Sequence, residues 1–318
     1  MTSGALRSDI ASPALFPDRR VNKPNLARVV LWMSGALVSF CVMAVSVRAL
    51  AERLSIFEVL AVRAGFGVLV LCAILAFSPA LRAVMVPRRI GLHLLRNSAH
   101  YAGQYAWALA LTLLPLATVF SLEFTMPAWT MLLATLILGE RMTPSRIGAV
   151  VLGLVGVLII LRPGVASFKP AALLVLGAAF AYAVSMINTK QLITTETPFA
   201  IIFWMNVMQL PMSLAGSSLD FPLRLGAADL LPILGIGISG VSSHYCLSNA
   251  FRSGDASVVV PLDFLRIPLI AWIGWWLYGE MLDIFVFAGA FTIVAGVVWN
   301  LRAETRPVLP TAVRRPAA

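Results

Sequence analysis

The chain has 318 residues, of which 60% are hydrophobic and only 12% charged, with a mean hydropathy of +0.90. A soluble globule carries about a quarter charged residues, so composition excludes an ordinary soluble domain and makes lipid the solvent for much of this surface. The net charge of +10 is scattered over ends and loops, without the clustered basic face that a nucleic-acid binder needs, so no nucleic-acid partner is expected.

Residues 1–28 hold Pro13, Pro17 and Pro24 with Arg7, Arg19, Arg20, Lys23 and Arg28. No apolar run precedes Leu31, so this stretch reads as a cytoplasmic tail and not as a cleavable signal. Apolar segments of spanning length, roughly 17 to 25 residues each, follow at 29–50, 56–77, 92–114, 116–138, 147–161, 171–190, 198–216, 230–251, 256–278 and 284–301. They are apolar all round, without the two-residue alternation of barrel strands. The expectation is an all-α membrane protein with ten transmembrane helices; nine is the rival, because the third and fourth spans meet at Pro115 almost without a loop. Residues 303–318 read as a second cytoplasmic tail. Cys41, Cys72 and Cys246 lie within apolar runs without metal spacing, and read as small buried side chains. No cofactor is expected.

The chain repeats itself. At a common offset of about 140 positions, Tyr105 falls on Tyr245, Phe124 on Phe264, Gly139-Glu140 on Gly279-Glu280 and Leu161-Arg162 on Leu301-Arg302. The repeats are expected at 29–162 and 163–302. Five helices in each is an odd number, so the second repeat must enter the membrane upside down. Inverted repeats are the architecture of many secondary transporters, with the solute site between repeats near the midplane. The excess of Lys and Arg in the even loops (Arg82, Arg88, Arg89, Arg141, Arg146, Lys190, Arg252) predicts that both termini are cytoplasmic, in the inner membrane.

Two stretches carry a family resemblance. One is Leu138-Gly139-Glu140-Arg141 with 148–162 and Pro163; the other runs from Gly254-Asp255-Ala256 through Pro261-Leu262 to Tyr278-Gly279-Glu280. The chain resembles the drug/metabolite transporter superfamily, in its EamA group, over about residues 29–302. The resemblance implies a secondary transporter of a small organic solute (an amino acid, metabolite or drug-like compound), working by alternating access. Export is the first expectation. Uptake of a vitamin or nucleoside-like solute, such as riboflavin or an adenosyl compound, is the alternative.

Polar residues inside spans are costly and point to function. Asn97, His100, Gln104 and Trp107 share a face of the third span, as a wall of a solute cavity would. Glu123 in the fourth span falls on Asp263 in the ninth, and Asp263 stands three residues before Arg266 as a helical pair. Glu123 has no base within helical reach and is the position through which proton coupling stays open. Tyr245 and Asn249 complete the expected solute-binding set, with His244 and Ser248 on an adjacent face. Arg63 and Glu58 lie in the second span, where snorkelling to the interface is the simple reading. No Gly-rich loop with Gly-Lys-Ser/Thr and no His-Glu-x-x-His occurs. An enzyme is therefore not expected; the rival class, an intramembrane enzyme, would need a mid-span pair such as Glu123 with His100. Oligomeric state stays open.

Overall fold

The computed structural model describes residues 26–83, 85–162, 169–218, 220–253 and 256–304. Both expected tails lie almost wholly outside the described residues, as do Pro163, Gly254 and Asp255. Among the described residues all regular structure is helical. The helices are α1 (Leu26–Leu50), α2 (Ile56–Phe77), the single turn α3 (Pro79–Arg82), α4 (Ile90–Leu113), α5 (Leu116–Glu123), α6 (Met126–Leu138), α7 (Pro144–Leu161), α8 (Ala171–Leu192), α9 (Pro198–Ala215), α10 (Leu230–Ser253), α11 (Ala256–Asp263), α12 (Arg266–Tyr278) and α13 (Ile284–Glu304).

Eight of these segments are long and apolar enough to cross a membrane, with α5 and α6 counted as one. Of the ten expected spans, α4 has the length but carries Arg96, Asn97, His100 and Gln104 along it, and α12 alone is only 13 residues long. The expected fourth and ninth spans are each broken in two. The breaks fall at Phe124-Thr125 and Phe264-Leu265, one repeat offset apart. Pro127 and Pro268 stand just beyond them, and each removes the N–H that would have bonded across the break.

The packing follows the repeat. α1 lies along α10, and its counterpart α8 lies along α4, the counterpart of α10; α7 pairs with α13, and α2 with α9. Small residues permit the closest approaches. A Cβ on Gly156 would stand 2.5 Å from the Gly289 carbonyl, and a Cβ on Gly289 would stand 2.5 Å from that of Gly156.

The two Gly-Glu turns show that the second repeat is inverted. Gly139 and Gly279 end α6 and α12 in the left-handed conformation, at φ 69° and 64°. The next N–H of each turn, from Glu140 and Glu280, bonds back to the carbonyls of Ala134 and Gly274. Glu140 then pairs with Lys190 at the end of α8, beside Gln191, whose carbonyl accepts from Arg89 at the start of α4. Glu280 pairs with Arg48 at the end of α1, and Arg48 also donates to the carbonyls of Leu111 and Leu114 at the end of α4. The equivalent turns thus sit at opposite ends of one helix.

Candidate functional site

The breaks bring the repeat-related carboxylates together. Glu123 is the last residue of α5, Asp263 the last of α11, and Arg266 the first of α12. Arg266 donates to Asp263 Oδ2 at 2.8 Å and stands 3.9 Å from Glu123 Oε1. The Trp107 indole N–H donates to Glu123 Oε2 at 2.8 Å. The guanidinium also lies over aromatic faces, 4.2 Å from the Phe40 ring centre and 4.9 Å from that of Phe124, an arrangement in which the ring quadrupole attracts the cation. Phe124 in turn meets its repeat partner Phe264 edge-on at 5.8 Å. Asp263 Oδ1 and Arg266 Nε are buried without a hydrogen-bond partner. Two charged ends and a set of aromatic faces therefore meet where both half-spanning helices stop.

A second polar group lies along α4. Asn97 and Gln104 are buried, and His100 is half-buried. Asn97 accepts from Arg96, and Gln209 on α9 donates its amide to His100 Nδ1 at 3.0 Å. The His100 ring meets Tyr182 on α8 at 5.3 Å. Gly103 lets α4 and α8 close up there, since a Cβ would stand 3.1 Å from the Tyr182 ring. Tyr182 is within electrostatic reach of both Glu123 and Arg63.

Of the residues expected from sequence, Trp107, Glu123, Asp263 and Arg266 form one cluster, with Asn97, His100 and Gln104 along the same helix as Trp107. Tyr245 and Asn249 are not brought to it. Tyr245 is 61% exposed, on the stripe that also exposes Leu231, Leu234, Ile238 and Val241, and packs edge-on against Trp32. Such an apolar stripe is the face a helix turns to lipid. Asn249 sits one turn further on and donates to the Tyr245 carbonyl. The inward face of α10 lies about 100° round, through Gly237, Gly240 and His244, beside Phe66 and Arg63. Arg63 does not snorkel; it is buried and faces Gly240. A groove of about 600 Å³ is lined by Phe264 and, along α13, by Val294, Val298 and Trp299. Its lining is almost wholly apolar and its outward-facing Trp299 and Phe291 are exposed, which suits acyl chains and not a polar solute.

Comparison with known proteins agrees with this architecture. The model of the EamA-like transporter family matches twice, at residues 27–162 and 169–302. A riboflavin transporter of Rhizobium johnstonii is 32% identical over 67% of this chain and 71% of its own length. An S-adenosylmethionine uptake transporter of Rickettsia prowazekii is 24% identical over 87% of this chain and 93% of its own. One solved crystal structure shares the fold at a TM-score of 0.58 and 17% identity, covering 88% of this chain and 99% of that one.

Proposed function

The chain belongs to the EamA-like transporter family, is a multi-pass membrane transporter for a small solute, and from that premise we propose that it takes up a heterocycle-bearing solute of vitamin or nucleoside size. The observation that carries this reading is the site at the two helix breaks. The Glu123–Arg266–Asp263 set supplies charge of both signs, and Phe124 and Phe264, both only partly buried, supply ring surface on which a flat heterocycle can stack. The relatives named for riboflavin and for S-adenosylmethionine uptake support a solute of that kind. Uptake is therefore preferred to the export that the family resemblance first suggests.

The exchange of repeats supplies the mechanism. Packing that recurs under the repeat relation, as α1 on α10 and α4 on α8 do, lets one arrangement convert into its inverse, opening the site to the other side. The carrier works by rebinding and release, without a covalent step.

The test is accumulation of labelled riboflavin and S-adenosylmethionine by cells expressing the protein, followed by proteoliposomes without ATP. Accumulation above the vector control for either compound, with counterflow in the proteoliposomes, is expected. Lowered accumulation would reverse the direction, and no movement of either compound would overturn the solute class.

A further inference from the structure

Arg63 stands apart from the Arg266 ion set. It lies seven residues into α2, about 10 Å along the helix at 1.5 Å per residue, and is only 8% exposed. Its guanidinium sits over Gly240 of α10, where a Cβ would be 3.4 Å from Nε. Its Nε is buried without a partner, and among the described residues no carboxylate forms an ion pair with it. The carboxylates Glu123 and Asp263 are both engaged by Arg266.

The surroundings of Arg63 are rich in donors. His244 stands one turn beyond Gly240 on α10, and His100 on α4 meets Tyr182 on α8 ring to ring at 5.3 Å; Arg63 acts electrostatically on all three. Because Gln209 donates to Nδ1 of His100, the neutral ring carries its proton on Nε2 and presents it as a donor. Arg96, also buried, donates to the neutral acceptors Thr189 Oγ1 at 3.1 Å and Asn97 Oδ1 at 2.8 Å. His100 and Tyr182 keep some accessible surface, and His244 keeps more than a third, so packed side chains do not seal the group completely. A cation held inside a membrane protein without a counter-ion is costly and marks a pathway or ligand site. The planar guanidinium fork matches a carboxylate or phosphate with two parallel hydrogen bonds.

We propose that Arg63, with His100, Tyr182 and His244, forms a subsite for an anionic group of the transported solute, a carboxylate or a phosphate. The heterocycle then stacks toward Phe124 and Phe264, while the anion lies on the α2–α10 side. This inference rests on the proposed transport of a heterocyclic solute and adds a charge requirement to it.

The test compares two pairs of probes that differ by one anionic group: S-adenosylmethionine against its decarboxylated form, and riboflavin 5′-phosphate against riboflavin. Dissociation constants are measured by calorimetry on purified protein in detergent. In at least one pair the anionic member should bind about tenfold tighter or better, and Arg63→Gln should bring that ratio to about one. The pair that shows the preference identifies the anion as carboxylate or phosphate. Arg63→Lys keeps the charge without the fork and should give an intermediate ratio; it decides the matter where Arg63→Gln is not monodisperse. Equal binding within both pairs, or a ratio unchanged in Arg63→Gln and Arg63→Lys, would overturn the subsite and leave the transport reading standing. Failure of all four compounds to bind the parent protein overturns both.

Discussion

Arg266 serves carboxylates from both repeats, and this changes what single substitutions should do. Its bond to Asp263 is the shorter, and Glu123 stands 3.9 Å away on the other side. Asp263→Asn alone leaves Arg266 with Glu123, and Glu123→Gln alone leaves it with Asp263. Each single change should therefore cost about 1 to 2 kcal/mol, and the double change more than their sum, about 3 to 5 kcal/mol, because a buried cation loses its last counter-ion. Unfolding midpoints of the four proteins in one detergent measure the cycle; strict additivity would refute the shared pair. The Asp263–Arg266 pair was legible because three residues of separation keep the two side chains within reach, even across the break between α11 and α12. Glu123's partner was not, since it arrives from the other repeat through tertiary packing. Tyr245 and Asn249 show the same limit: the period groups residues on a face but does not say which face turns inward. Where this transporter uses proton coupling, we expect Glu123 to carry it. Facing it are Arg266 and Asp263 from the second repeat, Trp107 from α4 and Tyr182 from α8. Glu123→Gln should then abolish the dependence of uptake on an imposed pH gradient in vesicles. A retained dependence would remove Glu123 from that role.

The Gly-Glu turns link helices in a way their sequence did not announce. Both were visible as a repeated dipeptide, but only the structure shows each glutamate crossing to the first helix of the opposite repeat. The two links differ in enclosure. Arg48 and Glu280 are each 13% exposed in their side chains, and Glu280 also accepts from the Leu116 N–H at the start of α5. Lys190 is 57% and Glu140 27% exposed. Above the enclosed link opens a cleft of about 410 Å³, lined by Arg48, Glu52, Tyr278 and Glu280. Glu280→Gln should lower stability by about 2 to 3 kcal/mol, since it leaves Arg48 without its counter-charge. Glu140→Gln should cost at most about 1 kcal/mol, as for exposed pairs. Equal costs in a detergent unfolding series would contradict the difference in enclosure. The hydrogen bond from Lys190, followed by that from Arg146, holds the Glu140 carboxyl below the usual carboxylate range. A depressed carboxylate contributes fully above its unfolded pKa, about 4.3, and loses that contribution as pH falls through the folded value. The Glu140 link should therefore persist from neutral pH down to about pH 4, and the difference between parent and Glu140→Gln should vanish only below it.

At the scale of the whole molecule, the element order and the repeat were legible, while the partner of each helix was not. In lipid a helix is apolar on its outer face as well as its packed one, so no amphipathic stripe marks where α1 meets α10 or α4 meets α8. Orientation, in contrast, gains support from tertiary pairing. At the Glu280 end the arginines are matched by acids: Arg48 with Glu280, Arg53 with Asp229, Arg162 with Asp283, and Arg224 with Glu58 and Asp220. At the Glu140 end, among the described residues, Arg88, Arg89, Arg141 and Lys190 gather around Glu140 and Glu196. An excess of Lys and Arg marks the cytoplasmic side, so we expect the Glu140 turn inside, the Glu280 turn outside, and, with ten crossings, both termini inside. Arg141 and Met281 are exposed residues of the two turns, which makes them suitable reporters. With Cys41, Cys72 and Cys246 replaced, Met281→Cys should react with a membrane-impermeant thiol reagent added to intact cells. Arg141→Cys should react only after the membrane is permeabilised. Labelling of both from outside would refute the inverted arrangement of the turns, and the opposite pattern would turn the whole molecule over in the membrane.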